Sequence, residues 1–225
     1  MKNWHWIIAL LYGVLIIALT LPVTLVALWP TTGQPDARPF AEKLAQTADG
    51  LFKPWSYWIS IIVLVLSQAA LLLVPVHTAN KRPITKGLVV FPIIASSLMI
   101  GGLAGGAALA IGEAITRDFT GWPALSALIL MWAFWAWIFY RWSAKTEPLS
   151  LIEKQCRILF QGSVLELLIA IPTHVYVRSK DYCSAGAGTF CGICMGLAVM
   201  ILSFGPGVFY LYAARFRRKH PQHNL

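Results

Sequence analysis

Three of the four cysteines in the chain fall in one stretch, Cys183, Cys191 and Cys194, with Cys156 elsewhere. Cys191 and Cys194 form a C-x-x-C, and residues three apart on a helix face the same way. At a helix start the peptide dipoles favour the thiolate, so this spacing suits a reactive dithiol. Cys183 could pair with either, leaving the third thiol over. His174 and the connector Gly186-Ala187-Gly188 precede the pair. Cys183, Cys191, Cys194 and His174 together are a soft donor set of the kind that holds zinc or copper(I). Small apolar filling and one structural disulfide are the competing readings of the same cysteines.

Glu166 is the second chemical candidate, because it is the one ionisable residue near the middle of an apolar run. A carboxylate there must be neutral, paired or turned to a polar cavity. That suits a proton relay, an ion ligand, or an acid bonded to a neighbouring helix. Glu113 reaches Arg117 at i+4, the spacing of a boundary ion pair. His174 is placed either to bond a carbonyl freed by Pro172 or to bind a ligand.

The elements that must position these groups are transmembrane helices. The 225 residues are 58% hydrophobic and only 12% charged, about half the charge of a soluble domain. Crossing the hydrocarbon core takes about 20 apolar residues. Six stretches qualify: 4–29, 55–76, 88–115, 122–140, 158–177 and 190–214. No alternating pattern suggests a β-barrel. The expectation is an all-α, polytopic helical bundle forming one domain over 1–225. The first span far exceeds a signal-peptide core of about 7–15 residues and reads as a retained helix. Span 158–177 contains Glu166, Pro172 and His174, so a re-entrant course is its alternative.

Six crossings put both termini on one side. If that side is the cytoplasm, it holds Lys2, Lys81, Arg82, Lys86, Arg141, Lys145, Lys154, Arg157, Arg215, Arg217, Arg218 and Lys219, against Arg38, Lys43, Lys53, Arg117, Arg178 and Lys180 opposite. This two-to-one bias follows the positive-inside rule and matches a bacterial inner membrane. The tail Arg215, Arg217, Arg218 and Lys219 reads as an anchor on anionic lipid. The net charge of +9 is therefore mainly a topology signal, with no nucleic-acid partner implied. The partner in every reading is the lipid bilayer.

Between the spans, Phe40, Leu44, Ala48 and Leu51 recur at helical spacing, as in a short helix lying on the membrane or capping the bundle. Residues 141–157 read as a loop that runs along the interface before span five. Gly101, Gly102, Gly105 and Gly106 make two overlapping small-xxx-small pairs, which let a second helix approach, from this chain or another subunit. Trp132 and Trp135 share a face on which a quinone could stack, or where aromatics simply pack. Gly205-Pro206-Gly207 should kink the last span, as a hinge or as fixed shape.

No nucleotide-binding, metalloprotease or hydrolase motif is present in the sequence, and the balance is against an enzyme. The expected function is that of a small inner-membrane protein with a Cys/His-bearing outer loop, in transport or in metal or thiol handling. A non-catalytic accessory subunit, with other membrane subunits or further copies of itself as partners, is one alternative. A quinone-linked thiol oxidoreductase is another.

Overall fold

The computed structural model describes residues 4–27, 39–79, 84–115, 122–179 and 187–209. These residues are almost entirely helical. The elements are α1 (Trp4–Ala27), α2 (Phe40–Phe52), α3 (Trp55–Ala79), α4 (Lys86–Ile115), α5 (Trp122–Ser143), α6 (Pro148–Arg178) and α7 (Ala187–Ser203). Among the described residues five helices are long and apolar enough to cross a membrane: α1, α3, α4, α6 and the run through α7 to Phe209. Backbone groups in lipid must pair within their own segment, which is why such apolar runs take this form. Pro22, Pro75, Pro92 and Pro172 lie inside α1, α3, α4 and α6 without ending them.

Contacts between helices set their directions. Gly13 of α1 meets Val65 of α3, and Thr20 meets Tyr57, so these two run antiparallel. Gly101 and Gly105 of α4 meet Trp132 and Leu128 of α5, again antiparallel. Gly102 and Gly106 meet Met195 and Gly192 of α7 in the same sense. α6 runs parallel to α4, with Gly162 against Ile100 and Leu103 and Glu166 beside Gly106. The six long helices thus alternate up and down. The N-termini of α1, α4 and α6 and the C-termini of α3, α5 and α7 share one end, called here the α6 N-terminal end.

α4 is the hub, packing against α3, α5, α6 and α7, while α1 packs chiefly on α3. The core gathers Leu71, Met99, Leu103, Phe139, Leu159 and Val199. Around it the usual distribution of a soluble protein is inverted. Leu11, Val14, Ile62, Leu165, Leu168 and Val175 face outward, whereas Gln68, Ser96, Gln155, Ser163 and Glu166 are buried. Water would penalise that surface at roughly 25 cal/mol per Å²; lipid does not.

Sequence expectations change at two places, and a third is met. Residues 148–157, expected as an interfacial loop, are the first three turns of α6, which continues through Pro172 to Arg178 as one helix. Pro148 opens it at N1/N2, where its missing N–H costs nothing. No re-entrant break occurs in it. The short helix expected around Phe40–Leu51 is α2, and it packs on both α1 and α3. The last span is two pieces: α7 ends at Ser203, Phe204 turns, and residues 205–209 are helical again.

Candidate functional site

Glu166 projects from the inner face of α6 and is only 2% exposed. Neither Oε1 nor Oε2 has a hydrogen-bond partner among the described residues. Its carboxyl group occupies a notch made by three glycines of two other helices. A Cβ on Gly106 of α4 would stand 3.2 Å from Glu166 Oε1, and one on Gly192 of α7 would stand 2.7 Å from it. A Cβ on Gly196 would fall on Glu166 Oε2 and stand 2.9 Å from Leu167 Cγ. Real Cβ atoms essentially never come within 3.0 Å of such an atom, so at Gly192 and Gly196 the carboxyl group occupies the space a side chain would need, and at Gly106 the fit is tight.

The same glycines bring backbones together. A Cβ on Gly106 would lie 3.2 Å from Gly192 Cα, and one on Gly192 would lie 3.3 Å from Gly106 O. Small-residue stripes permit such approach in lipid, where packing drives association. The stripe divides by face. Gly102 and Gly106 receive Met195, Gly192 and Glu166, while Gly101 and Gly105 receive Trp132 and Leu128.

His174 lies two turns from Glu166 toward the α6 C-terminal end, and its Nδ1 is 2.7 Å from Thr189 Oγ1 of α7. Neither sequence expectation for His174 named a hydroxyl partner on the neighbouring helix. Thr189 is fully buried, so the pair links α6 to α7 immediately beyond the notch.

Part of the expected Cys/His set can be placed. Cys156, Cys191 and Cys194 carry thiols rather than disulfides, and Cys183 lies outside the described residues. Cys191 is exposed. Cys194 points into an apolar crevice between α1 and α7 with Ile16, Leu19, Thr20, Leu197 and Ile201. At one side of it Thr20 Oγ1 and Tyr57 OH share a 2.9 Å hydrogen bond. Among the described residues no group of three His, Cys, Asp or Glu side chains is placed to hold a metal ion.

On α5, Trp132 Nε1 donates to Ser97 Oγ of α4 at 3.0 Å. Trp135 stacks at an angle on Phe139, with ring centroids 5.5 Å apart. These rings are spent on packing α5 to α4 and on one another. At the break after α7, a Cβ on Gly205 would fall on Gln68 Nε2 of α3. The basic tail Arg215, Arg217, Arg218 and Lys219, the side chain of Glu113, and Arg117 are outside the described set, as is Gly186.

Sequence reasoning missed Gln68 and Gln155. Both are fully buried, and neither side-chain amide has a hydrogen-bond partner among the described residues. Their signal was available, since each is an uncharged polar residue within or beside an apolar run. The chain matches no protein-family model, no curated protein and no solved structure.

Proposed function

We propose that this is a six-span protein of the bacterial inner membrane, with both termini cytoplasmic, that takes part in transport and works through reversible protonation of Glu166. α5, with 22 residues and a length of about 33 Å, supplies the sixth crossing. The observation that carries the reading is the Glu166 notch: a buried carboxyl group, both oxygens without a partner among the described residues, inside a joint made of glycines on two moving candidates, α4 and α7. Burying a carboxylate uncompensated costs several kcal/mol, so the closed joint holds the neutral acid. A cation would need several oxygen ligands, and among the described residues the notch walls offer the Gly106 carbonyl beside glycine methylenes, Leu167 and Ala170. A proton needs none of these. Sliding of α7 along α4 would wet the carboxyl group and release its proton, coupling ionisation to helix movement.

Dicyclohexylcarbodiimide tests this directly. The reagent adds a protonated carboxyl group across its N=C bond, and acyl migration leaves a stable N-acylurea. The expected result is modification of the Glu166 peptide in the folded protein and none in Glu166→Gln, with proton uptake by proteoliposomes lost in that variant. A folded protein whose Glu166 resists the reagent, while the unfolded chain accepts it, would overturn the proposal.

Metal or thiol handling by Cys183, Cys191, Cys194 and His174 has less support, because His174 is engaged with Thr189 and Cys194 faces apolar side chains. The accessory-subunit and quinone-linked readings have no observation comparable to the notch.

A further inference from the structure

The buried amides of Gln68 and Gln155 are not explained by packing. An unmet amide costs about 1–3 kcal/mol per group, and among the described residues four atoms are in that position: Nε2 and Oε1 of both residues. Gln155, Ser163, Glu166 and Ala170 are all buried on α6. At about 100° per residue they fall within one narrow face of that helix. Gln68 joins them from α3 by resting on Gly205 at the α7 break. The rings of Phe160 and Phe204 meet with centroids 5.3 Å apart. Because α6 and α7 are antiparallel, Gly205 and Gln155 then differ in depth by about one turn. Pro206 adds to this locus, since it has no N–H and leaves a helix carbonyl without its usual donor.

The two amides therefore lie within about one turn of each other in depth, on the α6 N-terminal side of Glu166. They present both donors and acceptors and no charge. Water matches that pattern, and a buried water needs about two to four polar partners. Toward the other end the environment differs. Gly106 and Gly192 bring their backbones together, Ala170 and Val177 are fully buried, and His174 is bonded to Thr189.

We infer that Gln68 and Gln155 bind internal water, making a hydrated seam through which Glu166 exchanges its proton with the α6 N-terminal end while the opposite end is closed. This inference rests on the reading of Glu166 as a proton site and adds its side of access. Ser163 stands between Gln155 and Glu166 and is within the seam, whereas Ala170 is beyond Glu166 on the same face and is outside it.

The test is thiol accessibility in a chain whose Cys156, Cys183, Cys191 and Cys194 are replaced by serine. The probe is 2-aminoethyl methanethiosulfonate, which reacts with thiols that water reaches. Ser163→Cys is expected to react at least about tenfold faster than Ala170→Cys, and Gln68→Leu with Gln155→Leu to slow it about tenfold, the loss matching one unmet hydrogen-bonding group. Gln68→Asn with Gln155→Asn keeps the amides and should preserve most of the reactivity. Equal rates at the two positions, an inert Ser163→Cys, or indifference to the leucine pair would each overturn the seam. Carbodiimide labelling of the same preparations separates the two proposals. Glu166 labelled with no seam signal overturns the seam alone, and a seam signal with Glu166 unlabelled overturns the proton site alone.

Discussion

Glu166 and its three glycine neighbours are mutually dependent, and this can be measured. Gly196→Ala adds a methyl group where Glu166 Oε2 already stands, so it should destabilise the folded protein by about 1–3 kcal/mol. The measurement is the thermal midpoint in detergent. In a Glu166→Ala background the space is vacated, and the cost of Gly196→Ala should fall by at least about 0.5 kcal/mol, the coupling expected of residues in contact. Gly50→Ala in α2 is the control: nothing lies within 4 Å of its Cβ position, and alanine is the better helix former by roughly 1 kcal/mol. The thiols make a second residue-scale case. Cys191 is exposed and Cys194 is partly buried against α1, so a polar maleimide should modify Cys191 first. Peptide mass spectrometry of a time course reads the order, and prior reaction at Cys194 would contradict this packing.

The informative element is the last span, which is neither one helix nor a simple kink. α7 stops at Ser203, with Phe204 N–H donating to Ile201 O at 3.2 Å, and the helix restarts so that Val208 N–H donates to Phe204 O at 3.0 Å. The Gly205-Pro206-Gly207 run made a break legible in the sequence. The side chain that fills the break was not legible, because Gln68 is on another helix. Gly205→Ala would drive a methyl group onto the Gln68 amide. It should lower the thermal midpoint, and Gln68→Ala should restore it. Failure of that rescue would mean that the backbone at 205, rather than the contact, sets the cost. α6 teaches the converse lesson. Its first turns are less apolar than the span proper, so hydropathy alone ended the helix early. Leu151, Ile152 and Gln155 are nevertheless buried, and tertiary packing carries the helix back to Pro148.

At the scale of the molecule, alternation of six long helices puts the N-terminus of α1 at the same end as the residues closing the last span. Reporter fusions at Met1 and Leu225 should therefore give the same signal, which on the proposed topology is that of the cytoplasm. Opposite signals would remove one crossing. Replacing Lys81, Arg82 and Lys86 by glutamine thins the positive charge between α3 and α4 and should weaken, not abolish, that orientation, since other basic residues remain. The outward-facing leucines and isoleucines agree with a lipid surround. Inside, the polar side chains are few, and the buried serines Ser96, Ser97, Ser163 and Ser203 bond to their own helices. Ser96, Ser163 and Ser203 each donate to a carbonyl one turn back. Gln68, Gln155 and Glu166 have no such bond among the described residues, and Thr189 pairs instead with His174 of α6.

What sequence alone determined was the set of local, one-dimensional quantities: apolar length, charge bias, the α7 break and the isolation of Glu166. These depend on how many residues lie in a row and what they are, which the chain states directly. Only the tertiary structure decided which helix each face meets. It assigned the α4 glycines to α5 and α7, turned His174 to Thr189, and brought Gln68 to Gly205. The physical reason is that helix pairing in lipid is settled by shape between distant segments. A missing Cβ on one helix has meaning only once the side chain that fills its place on another is known.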